Sequence, residues 1–349
     1  METLKRLPAK LRFNDPQIEM AHGAGGKLSR RLVEGLIVPI LRNPVLESLS
    51  DSAVFDFGNA RMATTADGYV VKPLQFNGGS IGELAVNGTV NDLAVSGARP
   101  LGLMATFILE AGLASSVLRS EIEAMAQAAA RAGTAVYGGD TKVVEHGMAD
   151  GMYVSTFGFG QVDSRARLDS ASVRPGDRIL LSGPIGDHGI TILLARGELE
   201  LEADLRSDTR PITAFIMAML DVAAEGLRWM RDPTRGGVAT VLNELVRDAN
   251  VGAVIYEDAI PLRDEVRGAC EILGLDPLHI ANEGQFIAIL APEYAQIALE
   301  AVRSTDGGEK AVLIGEIHEE PLRTVICETG FGGTRVVDML IGDPLPRIC

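Results

Sequence analysis

Four aspartates punctuate the first half of the chain beside glycine or small polar residues: Asp51 in Leu49-Ser50-Asp51-Ser52-Ala53, Asp67 before Gly68, Asp92 after Asn91, and Asp140 in Gly138-Gly139-Asp140-Thr141-Lys142. Each alone reads as a turn-former or helix cap, positions where aspartate is favoured. Together they suit another task. Mg²⁺ takes a few carboxylates plus waters and substrate phosphates, so acids on several loops of an acidic protein read as a Mg-nucleotide site. Gly138 and Gly139 let backbone approach a phosphate, and Lys142 offers it a point charge. In the second half, Arg231-Asp232-Pro233-Thr234-Arg235-Gly236-Gly237 leads into a predicted helix, whose free N–H groups and two neighbouring guanidinium forks form an anion site. Asn282-Glu283-Gly284 places a carboxylate in a loop before a strand, and Gly183 to Gly189 is a glycine turn whose His188 is read as structural.

Two further stretches have reach rather than fixed position. His22-Gly23-Ala24-Gly25-Gly26-Lys27 is not a P-loop, which needs glycine at Ala21 and Ser or Thr at Leu28. It reads either as a connector or as a glycine loop that folds with Lys27 over a phosphate. The chain ends in Pro344-Leu345-Pro346-Arg347-Ile348-Cys349. Prolines keep this tail out of helix and sheet interiors, and six extended residues span at most ~20 Å. That length carries a free thiol into a cleft elsewhere on the molecule.

These residues need a scaffold, and 349 residues at 46% hydrophobic and 23% charged are enough for two globular domains. A net charge of −15, from 47 acids against 32 bases, excludes nucleic acid and anionic membrane as partners. Three cysteines without a CxxC pair make no disulfide framework, and Met1 to Lys10 has no signal-peptide core, so a cytoplasmic location is expected.

Strands are predicted at 61–65, 69–71, 103–109, 134–137 and 152–159, with helices at 81–97 and 115–132. Val86, Val90 and Leu93 form the apolar stripe of the first helix, which presents Asn91 and Asp92 from its C-terminal half. The turn-rich Ala171 to Asp177 marks a boundary. Beyond it, helices are predicted at 187–196, 209–226, 236–249 and 292–303, and strands at 178–182, 253–257, 285–290, 313–317, 323–328 and 334–338. The expected fold class is α+β, two domains of like architecture facing each other across a cleft. The expected division is an N-terminal segment 1–45, domains at 46–165 and 175–341, and a mobile tail at 342–349.

The combination resembles one family over nearly the whole chain: the hydrogenase maturation factors HypE, within the ATP-binding superfamily of aminoimidazole ribonucleotide synthetase. The resemblance rests on Gly78 to Val86, Gly88 to Ala98, Gly139 to Val144, Gly186-Asp187-His188-Gly189, Asp232 to Gly237, Asn282-Glu283-Gly284 and Pro346-Arg347-Ile348-Cys349. It implies a synthetase-like fold with an N-terminal mixed sheet used for dimerisation and a C-terminal α/β sandwich. It implies a homodimer with ATP and Mg²⁺ held between the domains of each protomer. It further implies that a carbamoyltransferase, HypF, loads Cys349 with a carboxamide, that ATP then drives dehydration to a thiocyanate, and that cyanide passes to iron on a HypC-HypD complex.

By motif match the family implies that Asp51, Asp67, Asp92 and Asp140 hold Mg²⁺ and phosphates, joined by Asp232. Asn91, Gly139, Thr141 and Lys27 contact the nucleotide. Lys142 stabilises the transferred phosphoryl, Glu283 takes the amide proton, Arg235 holds the phosphorylated oxygen and Cys349 carries the cargo. Rivals are another enzyme of the superfamily, such as thiamine-monophosphate kinase or selenophosphate synthetase, and a nucleotide-binding scaffold that docks maturation proteins without catalysis.

Overall fold

A computed structural model describes residues 12–23, 25–197, 203–340 and 348–349. Met1 to Lys10, Ala24 of the glycine loop, and Pro344, Leu345, Pro346 and Arg347 of the tail lie outside the described residues. Short helices α1 (Lys27–Leu32) and α2 (Val38–Leu41) follow the glycine loop.

The first sheet is built from β1 (Ala53–Phe57), β2 (Ala60–Tyr69), β5 (Ala98–Glu110), β6 (Val136–Val144) and β7 (Met152–Val162), in the order β1-β2-β7-β5-β6. Only β5 and β6 pair in parallel. A small hairpin of β3 (Gln75–Phe76) and β4 (Gly79–Ser80) leads into α3 (Ile81–Val95). Along β7, Met152, Val154 and Thr156 are buried under α3 while Ser155 and Phe157 face outward, the period-2 alternation of a sheet covered on one side. Helix α4 (Ser115–Arg131) buries Glu121, Met125, Ala128 and Ala129, one stripe at helical spacing.

The second sheet has the order β14-β13-β10-β12-β8-β11-β9, from β8 (Arg178–Leu181), β9 (Leu227–Arg231), β10 (Gly252–Tyr256), β11 (Ile287–Leu290), β12 (Val312–His318), β13 (Val325–Glu328) and β14 (Thr334–Val337). Central strands β8 and β11 are apolar on both faces because both faces are covered. Leu180 and Ala288 join a core with α6 (Thr213–Ala223) and α9 (Pro292–Arg303), whereas Ile179, Leu181, Ile287 and Ile289 pack with α7 (Gly237–Ala249). Helices α5 (Asp187–Ala195) and α8 (Asp264–Leu273) complete the domain. Leu93 and Ala94 of α3 enter the same core as Phe215 and Ile216 of α6, so the two domains share one packed interface.

The predicted strand at 134–137 is corrected by the observed β6, which continues through Gly138-Gly139-Asp140-Thr141-Lys142. The glycines are there for strand packing rather than a turn: a Cβ at Gly139 would lie 1.6 Å from the Ala105 carbonyl oxygen. Asp67 likewise sits within β2. The helix predicted at 209–226 begins only at Thr213, because 207–212 crosses between domains in extended form, held by Asn77, Asn87 and Asn91. Strands β1 and β9 have no counterpart among the predicted elements.

Candidate active site

Three carboxylates converge from elements far apart in sequence. Asp51 precedes β1, Asp92 projects from α3, and Asp232 follows β9; one oxygen from each lies within 4.8 Å of the others. Asp67 points inward from β2 beside them. Thr65 Oγ1 donates to Asp92 Oδ2 at 2.7 Å, and Arg231 Nε lies 2.9 Å from Asp51 while its Nη1 pairs with Glu244 at 2.5 Å. Burial pushes Asp92 and Asp232 well above the ordinary aspartate range, and like charges push further: Asp67 and Asp232 on Asp92, Asp51 on Asp232. Burial also raises Asp67, against the pull of Arg235.

A hard divalent cation with oxygen ligands fits this donor set. Asp232→Asn is therefore expected to show two effects of opposite sign. Without a cation, relief of like-charge crowding leaves the melting temperature equal to or above wild type. Mg²⁺ affinity, followed by calorimetry, falls on the order of tenfold, because affinity follows ligand charge. An unchanged affinity would remove Asp232 from the site.

Opposite this cluster stands Glu283, 3% exposed, whose Oε1 has no hydrogen-bond partner. Its backbone is fixed from three sides: Asp208 accepts the N–H groups of Glu283 and Gly284 at 3.0 and 3.3 Å, Asn91 Nδ2 donates to the Glu283 carbonyl at 3.1 Å, and Arg210 Nε donates to the Gly284 carbonyl at 2.9 Å. Burial, then Asp232 and Asp208, raise the Glu283 carboxyl well above the usual glutamate range. A buried carboxylate with an unpartnered oxygen and a raised pKa is a stronger proton acceptor than a solvated glutamate.

The terminal thiol lies in the same pocket. Cys349 is 8% exposed, and Ile348 is buried with Val71, Ile190 and Leu205 in one apolar cluster. Val70 N–H donates to the Cys349 backbone oxygen at 3.0 Å. Burial pushes the thiol up to about 11, opposed by the Arg235 guanidinium, with Glu283 raising it further. Cys349 in turn is the main cause holding Arg235 above its ordinary value. Arg235 Nη1 also donates to the Gly23 carbonyl at 2.9 Å, and Gly25 packs on its Cβ so closely that no side chain would fit. The glycine loop thus lies directly over the arginine that faces the thiol.

Other predicted residues stand elsewhere. Asp140 and Lys142 pair with each other at 2.5 Å on the exposed outward face of β6. Three strand spacings separate β6 from β2, about 14 Å at ~4.8 Å each, so Asp140 cannot share one Mg²⁺ with Asp67 of its own chain. Gly139 and Thr141 lie on that same edge strand. Asn91 accepts from Ile212 N at 2.9 Å and donates to the carbonyls of Arg210 and Glu283, so in this structure its amide clasps the two domains together. Lys27 extends outward to Asp338 at 2.5 Å, with its backbone N–H on the Leu340 carbonyl. Arg231, read as an anion fork, is occupied by Asp51 and Glu244. Asp208 carried no sequence signal, since its role is visible only once the 207–212 crossover is placed against Glu283.

Comparison with known proteins matches residues 49–162 to the family "AIR synthase related protein, N-terminal domain" and 174–328 to its C-terminal counterpart. The chain is 48% identical over 341 residues to the "Carbamoyl dehydratase HypE" of Azotobacter vinelandii, covering 98% of this chain and 100% of the relative. The protein of that name from Escherichia coli is 40% identical over 95% of this chain and 99% of its own. Among solved structures, a HypE in complex with ATP superposes with a TM-score of 0.79 at 41% identity, covering 95% of this chain and 99% of that one. A HypE-HypF complex superposes at 0.84 and 40%, covering 88% and 99%. A thiamine monophosphate kinase from Aquifex aeolicus, at 19% identity and a TM-score of 0.62, over 87% of this chain and 96% of that one, shares the fold alone.

Proposed function

The chain belongs to the HypE carbamoyl dehydratases of the AIR synthase-related family, enzymes of hydrogenase maturation, and from that premise we propose that Cys349 carries the carboxamide on which ATP-dependent dehydration is performed. The single observation that supports this reading is the burial of Cys349 beside Arg235 and Glu283, next to the acid cluster.

The chemistry balances. The carboxamide oxygen of the thiocarbamoyl group attacks the γ-phosphorus of ATP, and ADP leaves. The amide oxygen has then become phosphate, a good leaving group. Removal of the N–H protons closes the C≡N bond as phosphate departs, leaving a thiocyanate on sulfur. Arg235 is placed to hold the oxygen as it gains charge. Glu283 is placed to take an N–H proton, its backbone locked by Asp208 and Asn91. Asp51, Asp92 and Asp232, with Asp67 adjacent, would hold Mg²⁺, which supplies charge neutralisation on the phosphates when bound. The glycine loop over Arg235 excludes water from the pocket it covers.

The test is mass spectrometry of the C-terminal peptide after carbamoylation, with and without ATP. The peptide is expected to lose one water only with ATP, and Cys349→Ala is expected to carry neither modification while still binding ATP. A loaded wild-type tail unchanged by ATP would overturn the carrier assignment.

The same reading includes partners: a HypF-type transferase that loads the thiol, a HypC-HypD complex that receives cyanide in the cytoplasm, and a second copy of this chain. The outward face of the first sheet exposes Met104, Ile108 and Phe157, and edge strand β6 exposes Tyr137 and Val143. Among the described residues nothing covers either surface, and such an apolar face with an unpaired edge favours a symmetric partner. Asp140 and Lys142 lie on this face, so in the proposed homodimer they serve the partner's pocket. Among the described residues, no helix is long and apolar enough to cross a membrane.

A further inference from the structure

The last two residues are held from both domains. Val70, just past β2, binds the Cys349 oxygen from the first domain, and His188 in the opening turn of α5 binds the Ile348 carbonyl from the second, Nε2 to O at 2.7 Å. His188 is completely buried, and its Nδ1 lies 2.8 Å from Ser207 Oγ. Its ring meets Phe76 edge to face, with centroids 5.6 Å apart.

The two bonds fix the tautomer. A carbonyl oxygen only accepts, so Nε2 carries the hydrogen, and Nδ1 must accept from the Ser207 hydroxyl. Ser207 is itself set by the crossover segment: its N–H donates to the Asn77 carbonyl at 2.9 Å, and its Oγ accepts from Thr209 N–H at 3.2 Å. Burial drives the imidazole down to about 4, which keeps it neutral and able to do both at once. No metal, nucleotide phosphate or proton transfer in the reaction above needs this histidine.

We propose that His188 is a positioning residue for the carrier thiol: with Ser207 holding its tautomer, it grips the Ile348 carbonyl and thereby sets Cys349 in register with Glu283 and Arg235. The proposal rests on the carrier reading for its meaning in catalysis, but the grip itself is independent of it. The grip is made to backbone, so it holds the thiol whatever the thiol bears.

The test uses the full chain without ATP. Cys349 alkylation by iodoacetamide is timed by mass spectrometry of the C-terminal peptide. His188→Phe keeps an aromatic ring against Phe76 and deletes the donor; labelling is expected to accelerate about tenfold or more, the size expected when one buried hydrogen bond is lost and its acceptor left unpaired. His188→Gln, which restores a donor near the Nε2 position, is expected to label within about threefold of wild type. Labelling of folded His188→Phe at the wild-type rate overturns the proposal. Should that variant not fold, Ser207→Ala takes its place, with a several-fold acceleration expected and a wild-type rate overturning it. A second arm separates the two readings. With a carbamoylated tail, His188→Phe is expected to bind ATP normally and dehydrate more slowly. If wild type shows His188-dependent protection but no ATP-dependent loss of water, the grip stands and the carrier reading fails.

Discussion

Glu283→Gln is expected to bind ATP with wild-type affinity and to convert a carbamoylated tail about a hundredfold to ten-thousandfold more slowly, the range attributed to a positioned general base. Glutamine fills the same buried space, and the bonds from Asp208 and Asn91 go to the backbone, so the loop stays where it is. What disappears is a carboxylate whose buried Oε1 has no partner. The pH profile adds a second readout. Because burial raises this carboxyl, the protonated form persists above the usual glutamate range, and the base is inactive while protonated. Wild-type single-turnover rates should therefore rise as pH rises through a pKa above that of an ordinary glutamate. In Glu283→Gln that limb should vanish. Rapid-quench kinetics with a loaded tail measures both, and wild-type turnover in the variant would reassign the base.

Lys142→Ala is expected to lose on the order of a hundredfold or more in turnover, as when one charge-stabilising donor is removed, although Lys142 sits on an exposed strand remote from its own chain's acid cluster. The decisive measurement mixes two inactive proteins. Co-refolded Lys142→Ala and Glu283→Gln chains form mixed dimers in which one of the two pockets combines a wild-type Glu283 with a wild-type Lys142. Activity should return to about one quarter of wild type for random pairing across a two-fold axis. A mixture as inactive as its parents would mean that Lys142 does not act across the interface.

Much of this was legible in the sequence, for local reasons. Asp232, Glu283 and Cys349 were picked out because glycine, proline or chain-end chemistry surrounds them, and those signals are short-range. The alternation of strands and helices gave the class of fold, since apolar periodicity is also local. Asp140 reads from the sequence as a turn residue because Gly138-Gly139 precedes it, whereas it lies within a strand whose Gly139 is demanded by the Ala105 carbonyl across a strand pair 34 positions away in the chain. Asn91 lies on a polar helix face that, read along the chain, needs a partner or water. Its partners arrive from positions 210, 212 and 283, which no window along the chain contains. The partner of His188 is hidden from the sequence for the same reason: what it touches is the far end of the polypeptide.

The shared core between α3 and α6, reinforced by Asn87 and Asn91, bears on how product reaches its acceptor. Two lobes fastened along a packed seam do not gape like a hinged jaw, so on the proposed carrier reading handover would fall to the chain end. That end is tethered where Lys27 N–H meets the Leu340 carbonyl, and the nine residues beyond it span at most ~30 Å when fully extended. On the carrier reading proposed above, an iron centre that receives cyanide would have to come inside a sphere of that radius, and the complex holding it would rest against this side of the molecule.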